Sequence, residues 1–167
     1  MMMRYLFIDA HNVIFSCPDL KALLLRNQDA AREALVERVL PIHDAENFRV
    51  VLVLDSRQAF SAFMHAPEAA RLECVYAPAD LSADGAIEKM LARLKQPEQA
   101  IVVSHDRWVR ESTLVQGAQA MRPAELFEWA NRCQKRLQQS ARVERVSNDA
   151  SFKNGLNFDG LLGEYQR

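Results

Sequence analysis

Four short apolar runs punctuate the chain: Tyr5–Ile8, Val50–Leu54, Leu72–Tyr76 and Ala100–Val103. Each is rich in β-branched or aromatic residues and bounded by polar ones, as expected of strands buried on both faces of a parallel sheet. Between them the apolar positions change period. Leu35, Val36, Val39 and Leu40 share one face of a helix, with Asp29 as its expected N-cap and Pro41 expected to end or kink it. Ile87, Met90, Leu91 and Leu94 form a core-facing stripe after Ser82, at helical spacing. Leu126, Ala130, Cys133 and Leu137 repeat that spacing in a last long helix, which Pro123 is expected to open. Strands alternating with helices imply βαβ units, right-handed crossovers and a three-layer α/β/α sandwich around a central, mostly parallel sheet.

The stretch from Ser147 to Arg167 breaks the pattern. It holds three of the five glycines among scattered apolar residues (Phe152, Leu156, Phe158, Leu161, Leu162 and Tyr165). The expected division is a domain over residues 1–146 and a tail over 147–167 that docks on the body or on a partner. A length of 167 residues favours one domain, and 49% hydrophobic with 26% charged residues is the make-up of an ordinary globular protein. Basic and acidic residues nearly cancel, 21 against 22, so a nucleic-acid role must rest on a local patch and not on a global field. No run approaches the roughly 20 apolar residues that span a bilayer, so no membrane partner is expected. Met1-Met2-Met3-Arg4 leads straight into the first strand without a signal-type apolar region, which gives a cytoplasmic location as the expectation. Cys17, Cys74 and Cys133 are odd in number and lack CxxC spacing, so reduced, buried thiols are expected.

Four aspartates stand where an α/β sheet does chemistry. Asp9 ends the first strand, Asp55 the second, Asp106 follows the fourth, and Asp84 opens the helix after the third. In open α/β sheets ligands bind beyond the carboxyl ends of the strands, at the topological switch point, and all four carboxylates can converge there. Two carboxylates about 4 Å apart repel by roughly 4 kcal/mol at an effective dielectric near 20. Such a cluster needs a compensating cation or must protonate a member. Hard oxygen donors around an open site suit Mg²⁺ or Mn²⁺, which accept phosphate oxygens and activate water. Taken singly, each aspartate also suits a cap or a turn; the joint pattern points to a metal-dependent nuclease centre.

Other constellations are absent from the sequence: no phosphate loop, no GxGxxG turn, no GxSxG elbow and no HExxH. His11 and His105 flank the acidic edge and could meet a phosphate or water from behind the ligands. From Arg122 to Arg145 there are six basic residues against three acidic, and Arg132, Lys135 and Arg136 form a stripe that could track a phosphate backbone or simply face water.

These residues resemble a known family. Tyr5-Leu6-Phe7-Ile8-Asp9-Ala10-His11-Asn12-Val13-Ile14 is similar to the opening of bacterial YacP-like NYN domains, a branch of the PIN-like nucleases, in which a strand runs into Asp-Gly-Tyr-Asn. Val51–Asp55 resembles the family's second strand, Ala79–Lys89 its acidic helix start, and Val102–Asp106 with Gln116-Gly117-Ala118 its last conserved segment, in the same order over residues 4–140. The resemblance implies a PIN-like (NYN) fold and RNA cleavage with Mg²⁺ or Mn²⁺. Asp9, Asp84 and Asp106 match the acidic positions, Asp55 the second-strand aspartate and Asn12 the motif asparagine. Ala10 and His11 replace the usual Gly and Tyr, and Gly85 replaces an acidic residue.

The expected protein is thus a metal-dependent endoribonuclease. Asp9, Asp84 and Asp106 hold the ion, with Asp55 a further ligand or support. Asn12 and Ser104 orient phosphate or water. The RNA partner could be messenger or ribosome-associated, and the oligomeric state is open. Two other classes share the same edge: a non-catalytic RNA- or ribosome-binding module, and a hydrolase of small phosphate esters.

Overall fold

The structure is a computed structural model that describes residues 3–55, 72–78 and 80–155, with side chains as far as residue 146. Its elements are β1 (Arg4–Asp9), α1 (Ala10–Ser16), α2 (Pro18–Leu24), α3 (Gln28–Glu46), β2 (Phe48–Asp55), β3 (Leu72–Ala77), α4 (Ala83–Ala92), β4 (Ala100–Val103), α5 (Arg107–Val115), β5 (Gln119–Met121) and α6 (Pro123–Gly155). A single 3-10 turn at Pro97–Gln99 leads into β4. The five strands form one sheet in the order β3-β2-β1-β4-β5, and every pairing is parallel.

Strand alternation splits the core into two layers. Leu6 and Ile8 of β1 and Val50, Leu52 and Leu54 of β2 pack with α1, α2, α3 and α6. Phe7, Val51, Val53 and Val102 face the other way, onto Ile87 and Leu91 of α4 and Val109 of α5. Helices cover both faces, so the near-continuous apolar runs of β1 and β2 have a physical cause: neither face meets water. The three-layer α/β/α architecture is that of the PIN-like fold expected from the sequence.

Local signals explain most element ends and correct two expectations. Asn27, not Asp29, caps α3: its side chain accepts from the Ala30 N–H at 3.1 Å, while Asp29 lies inside the first turn and pairs with Arg32. Pro41 does not end α3, which continues to Glu46. Pro41 is buried, and burial against the body outweighs the hydrogen bond its missing N–H forfeits. Ser82 caps α4 through the Gly85 N–H, and Pro123 opens α6. α6 then runs on to Gly155, so residue 147 does not fall at an element boundary. Phe152 lies within α6 and Leu156, Phe158, Leu161, Leu162 and Tyr165 lie outside the described residues, so no docking of a tail is described. The three cysteines are free, with Cys133 buried and Cys17 and Cys74 half-buried. Among the described residues, no helix is long and apolar enough to cross a membrane.

Asn47, the C-cap of α3, adopts φ 57° and ψ 37° in the left-handed region. That conformation costs most L-residues about 1–2 kcal/mol, with asparagine and glycine the tolerated choices. Asn47→Ala is therefore expected to lower stability by about 1 kcal/mol and Asn47→Gly to leave it unchanged or slightly raised. Urea melts of the two variants check this; equal losses would assign the role of Asn47 to its side-chain contacts.

Candidate active site

The chain moves outward from β1 through β2 to β3, then returns to β4 on the other side of β1. The switch point therefore lies between β1 and β4, where the carboxyl ends of two parallel neighbours diverge. Asp9 ends β1 and the Ser104-His105-Asp106 loop follows β4, so the two flank that crevice. Alternation gives Asp9 and Asp55 the face of Phe7 and Val53, which α4 covers, and Asp84 stands in the first turn of α4. The fold thus carries all four aspartates to one edge.

Their electrostatics agree. Asp9 is buried, and burial pushes its carboxyl up to about 6; the Asn12 N–H opposes this, while the charges of Asp84, Asp55 and Asp106 add to it. Asp9 and Asp106 have a second occupation as N-caps. Asp9 Oδ1 accepts from the Asn12 N–H at 3.1 Å to start α1. Asp106 Oδ1 accepts from the Trp108 N–H at 2.8 Å to start α5. Each cap engages one carboxylate oxygen of two. Among the described residues, no three His, Cys, Asp or Glu side chains converge closely enough to hold a metal ion as they stand. The donor chemistry suits a hard divalent cation, and the structure brings the donors to one edge without closing them on one point.

Asn12 and Ser104 are engaged in building that edge. Asn12 Oδ1 accepts from the His105 N–H at 2.6 Å and faces the Ser104 hydroxyl at 3.4 Å. The buried Ser104 Oγ accepts in turn from the Asp106 N–H at 3.1 Å. Arg110 fastens the same loop from α5, donating through Nη1 to the carbonyls of Ser104 at 3.0 Å and His105 at 2.6 Å. Asn12 from the first turn of α1 and Arg110 from α5 thus clamp the turn that carries Asp106. Sequence reading missed Arg110, whose only local signal is its place one helical turn after an aspartate cap.

The histidines differ. His11 is half-buried on α1 and its ring packs, tilted by 45°, against Phe15 at 4.4 Å. Burial lowers its pKa from the usual imidazole value, with Asp55 opposing and Arg32 reinforcing, which favours the neutral ring. His105 is exposed and contributes its backbone N–H to the Asn12 clamp. Arg32, another residue the sequence did not single out, is buried and places a positive charge beside His11. At Gly85 an added Cβ would meet Leu81 Cδ1 at 2.8 Å, so a larger residue there requires the Leu81 side chain to shift.

The basic stripe lies elsewhere. Arg136 pairs with Glu46 at the end of α3, and Arg4, which opens β1, donates to the Glu46 carbonyl at 2.8 Å. That is the amino end of the sheet, roughly 20 Å along the strands from Asp9 and Asp55. Arg132 and Lys135 are exposed on the same helix.

With this geometry in place, comparison with known proteins is direct. The YacP-like NYN domain model matches residues 6–161. The chain belongs to the YacP-like NYN domain family. The crystal structure of Rae1 (YacP) from Bacillus subtilis superposes with a TM-score of 0.71 at 23% identity, over 96% of this chain and 91% of that one. A tryptophan-to-leucine mutant of the same protein gives 0.70 at 23% identity, over 92% and 89%. At that identity the likeness speaks for the fold. No curated protein sequence matches the chain. The family match runs past residue 140 and through the whole of α6.

Proposed function

We propose that the protein is a metal-dependent endoribonuclease acting at the Asp9, Asp84 and Asp106 edge, with Asp55 beside it. The observation that carries this reading is the placement of four aspartates at the carboxyl edge of the sheet, two at strand ends and two at helix starts, with Asp9 buried among them. An edge so charged repels RNA phosphates unless a cation is shared, and membership of a PIN-like nuclease family supplies the chemical context. Asp9, Asp84 and Asp106 would hold Mg²⁺ or Mn²⁺ through the oxygens not used for capping, with Asp55 adjusting the charge. A divalent ion there supplies charge neutralisation at the scissile phosphate and lowers the pKa of water. The chain's own part is to keep Asp106 in place through Asn12, Ser104 and Arg110, and to shield Asp9 from bulk water. Hydrolysis would leave a 5′-phosphate and a 3′-hydroxyl. Arg132, Lys135 and Arg136 would meet only an RNA long enough to run from one sheet edge to the other.

The test is cleavage of end-labelled single-stranded RNA in Mn²⁺ and in EDTA by the parent, Asp84→Asn and Asp106→Asn. Expected is cleavage by the parent in Mn²⁺ alone and its loss in both variants, with folding intact because asparagine caps about as well as aspartate. Mn²⁺ should raise the parent's melting temperature and the variants' much less. Variants that cleave at the parental rate and keep the full Mn²⁺ shift would overturn the assignment. Among the described residues no three carboxylates already close on one point, which favours one other reading, an RNA-binding module without turnover. RNA binding by a parent that never cleaves would establish it.

A further inference from the structure

The loop that carries Asp106 also presents the most exposed aromatic ring among the described residues. Trp108 is 78% exposed, in the first turn of α5 and two residues from Asp106. We propose that Trp108 is a stacking platform for one unpaired nucleobase of the RNA strand whose phosphate lies at the aspartate edge, an inference that rests on the nuclease reading.

Three observations converge. First, placement: Val109 and Thr113 turn α5 inward, which leaves Trp108 on the open side, and the bond from its backbone N–H to Asp106 Oδ1 at 2.8 Å sets the residue in the turn that Asp106 caps. Second, availability: Trp129, the other tryptophan, packs edge-on against Phe48 at 5.1 Å, and Phe15 already carries the His11 ring at 4.4 Å and the Lys21 ammonium at 5.4 Å. Among the described residues, neither ring nor cation stacks on Trp108. Third, charge: the amino end of α5 favours anions, and the adjoining Arg107 side chain is 80% exposed, its charge offset by Glu111. An open aromatic face one residue from an arginine is what single-stranded nucleic acid uses, since every base has a π-face and a duplex hides it.

An exposed tryptophan also suits a protein partner. The other exposed apolar side chains of α5, Leu114 and Val115, lie at its far end, about 10 Å along the axis and past Glu111. They do not merge with Trp108 into one apolar patch, and this favours a base.

The sequence has two tryptophans, so Trp129→Phe leaves Trp108 as the sole reporter. That variant, made inactive by Asp84→Asn as well, is titrated in Mn²⁺ with a six-nucleotide adenylate RNA, and separately with the same strand in a duplex, while tryptophan fluorescence is read. Expected is saturable quenching by the single strand and little by the duplex. Trp108→Ala in the otherwise unchanged chain should weaken single-strand binding by about tenfold, and Trp108→Phe should restore most of it. In Mn²⁺ the alanine variant should raise KM more than it lowers kcat. Equal quenching by duplex and single strand, no quenching by either, or an alanine variant with unchanged affinity and KM would overturn the inference. The two readings fail separately: a cleaving parent whose alanine variant behaves identically removes the platform and keeps the nuclease. A parent whose tryptophan is quenched but which never cleaves keeps the platform and removes the nuclease.

Discussion

Asp9→Asn is expected to abolish metal-dependent RNA cleavage while making the metal-free protein more stable at neutral pH. Loss of a ligand from a charge-neutralising site removes several kcal/mol from the transition state, a fall of about a hundredfold or more in rate. The stability change has the opposite sign because Asp9 is a strained carboxylate. Its pKa rises from 3.8 to about 6 on folding, first through burial and then through Asp84, Asp55 and Asp106. A carboxyl raised in this way binds its proton more tightly folded than unfolded. The penalty is absent below about pH 4, builds through the interval between those two values, and is complete above pH 6. The shift corresponds to about 3 kcal/mol. Asparagine can still accept the Asn12 N–H, so the cap of α1 survives. In EDTA at pH 7.5 the variant should therefore melt several degrees above the parent, and the gap should close as pH falls toward 4. Paired melts at a series of pH values, beside the cleavage assay, decide the matter. A variant less stable than the parent at every pH, or one that cleaves normally, would contradict the picture.

Asn12→Ala should cripple both stability and cleavage through the loop it holds. Its side chain accepts from the His105 N–H and the Ser104 hydroxyl, and Ser104 is fully buried with its Oγ tied to Asp106. Alanine removes the acceptor from the exposed His105 N–H and from the buried Ser104 hydroxyl, a loss of about 1 kcal/mol or more. The β4–α5 turn then loses its tie to α1 and keeps Arg110 and its own local bonds, and Asp106 is held less firmly at the edge. Cleavage is expected to drop by about tenfold or more, because misplacing a reacting group by even about 1 Å is felt strongly. Arg110→Ala removes the second clamp and should give a smaller fall in the same direction. Denaturant unfolding and cleavage rates of the two variants are the measurement. An Asn12→Ala protein with unchanged stability and lost activity would instead give Asn12 a direct role at the phosphate.

The sequence by itself determined the strands β1 to β4, because each is an apolar run covered on its faces, fully in β1 and β2 and partly in the edge strand β3, and so leaves its mark in composition alone. It also determined the stripes of α4 and α6 and the starts at Ser82 and Pro123, which depend on neighbours only a turn away. The four aspartates were legible for the same reason, since each sits directly at the end of a strand or the start of a helix. Short elements escaped. β5 has three residues and no period, and α1 and α2 have seven each, too few for a stripe. Pro41 misled because local propensity says stop, whereas its buried place in α3 is a tertiary fact. Only the tertiary structure decided that Asn12, Ser104 and Arg110 join into one clamp, for the first two lie 92 residues apart in the chain. Only it put Arg132, Lys135 and Arg136 at the opposite end of the sheet from the aspartates, since charge counted along a helix carries no information about where that helix ends in space. And only it showed Trp108 exposed, because whether an aromatic residue is buried depends on the packing of distant elements, which no window of sequence contains.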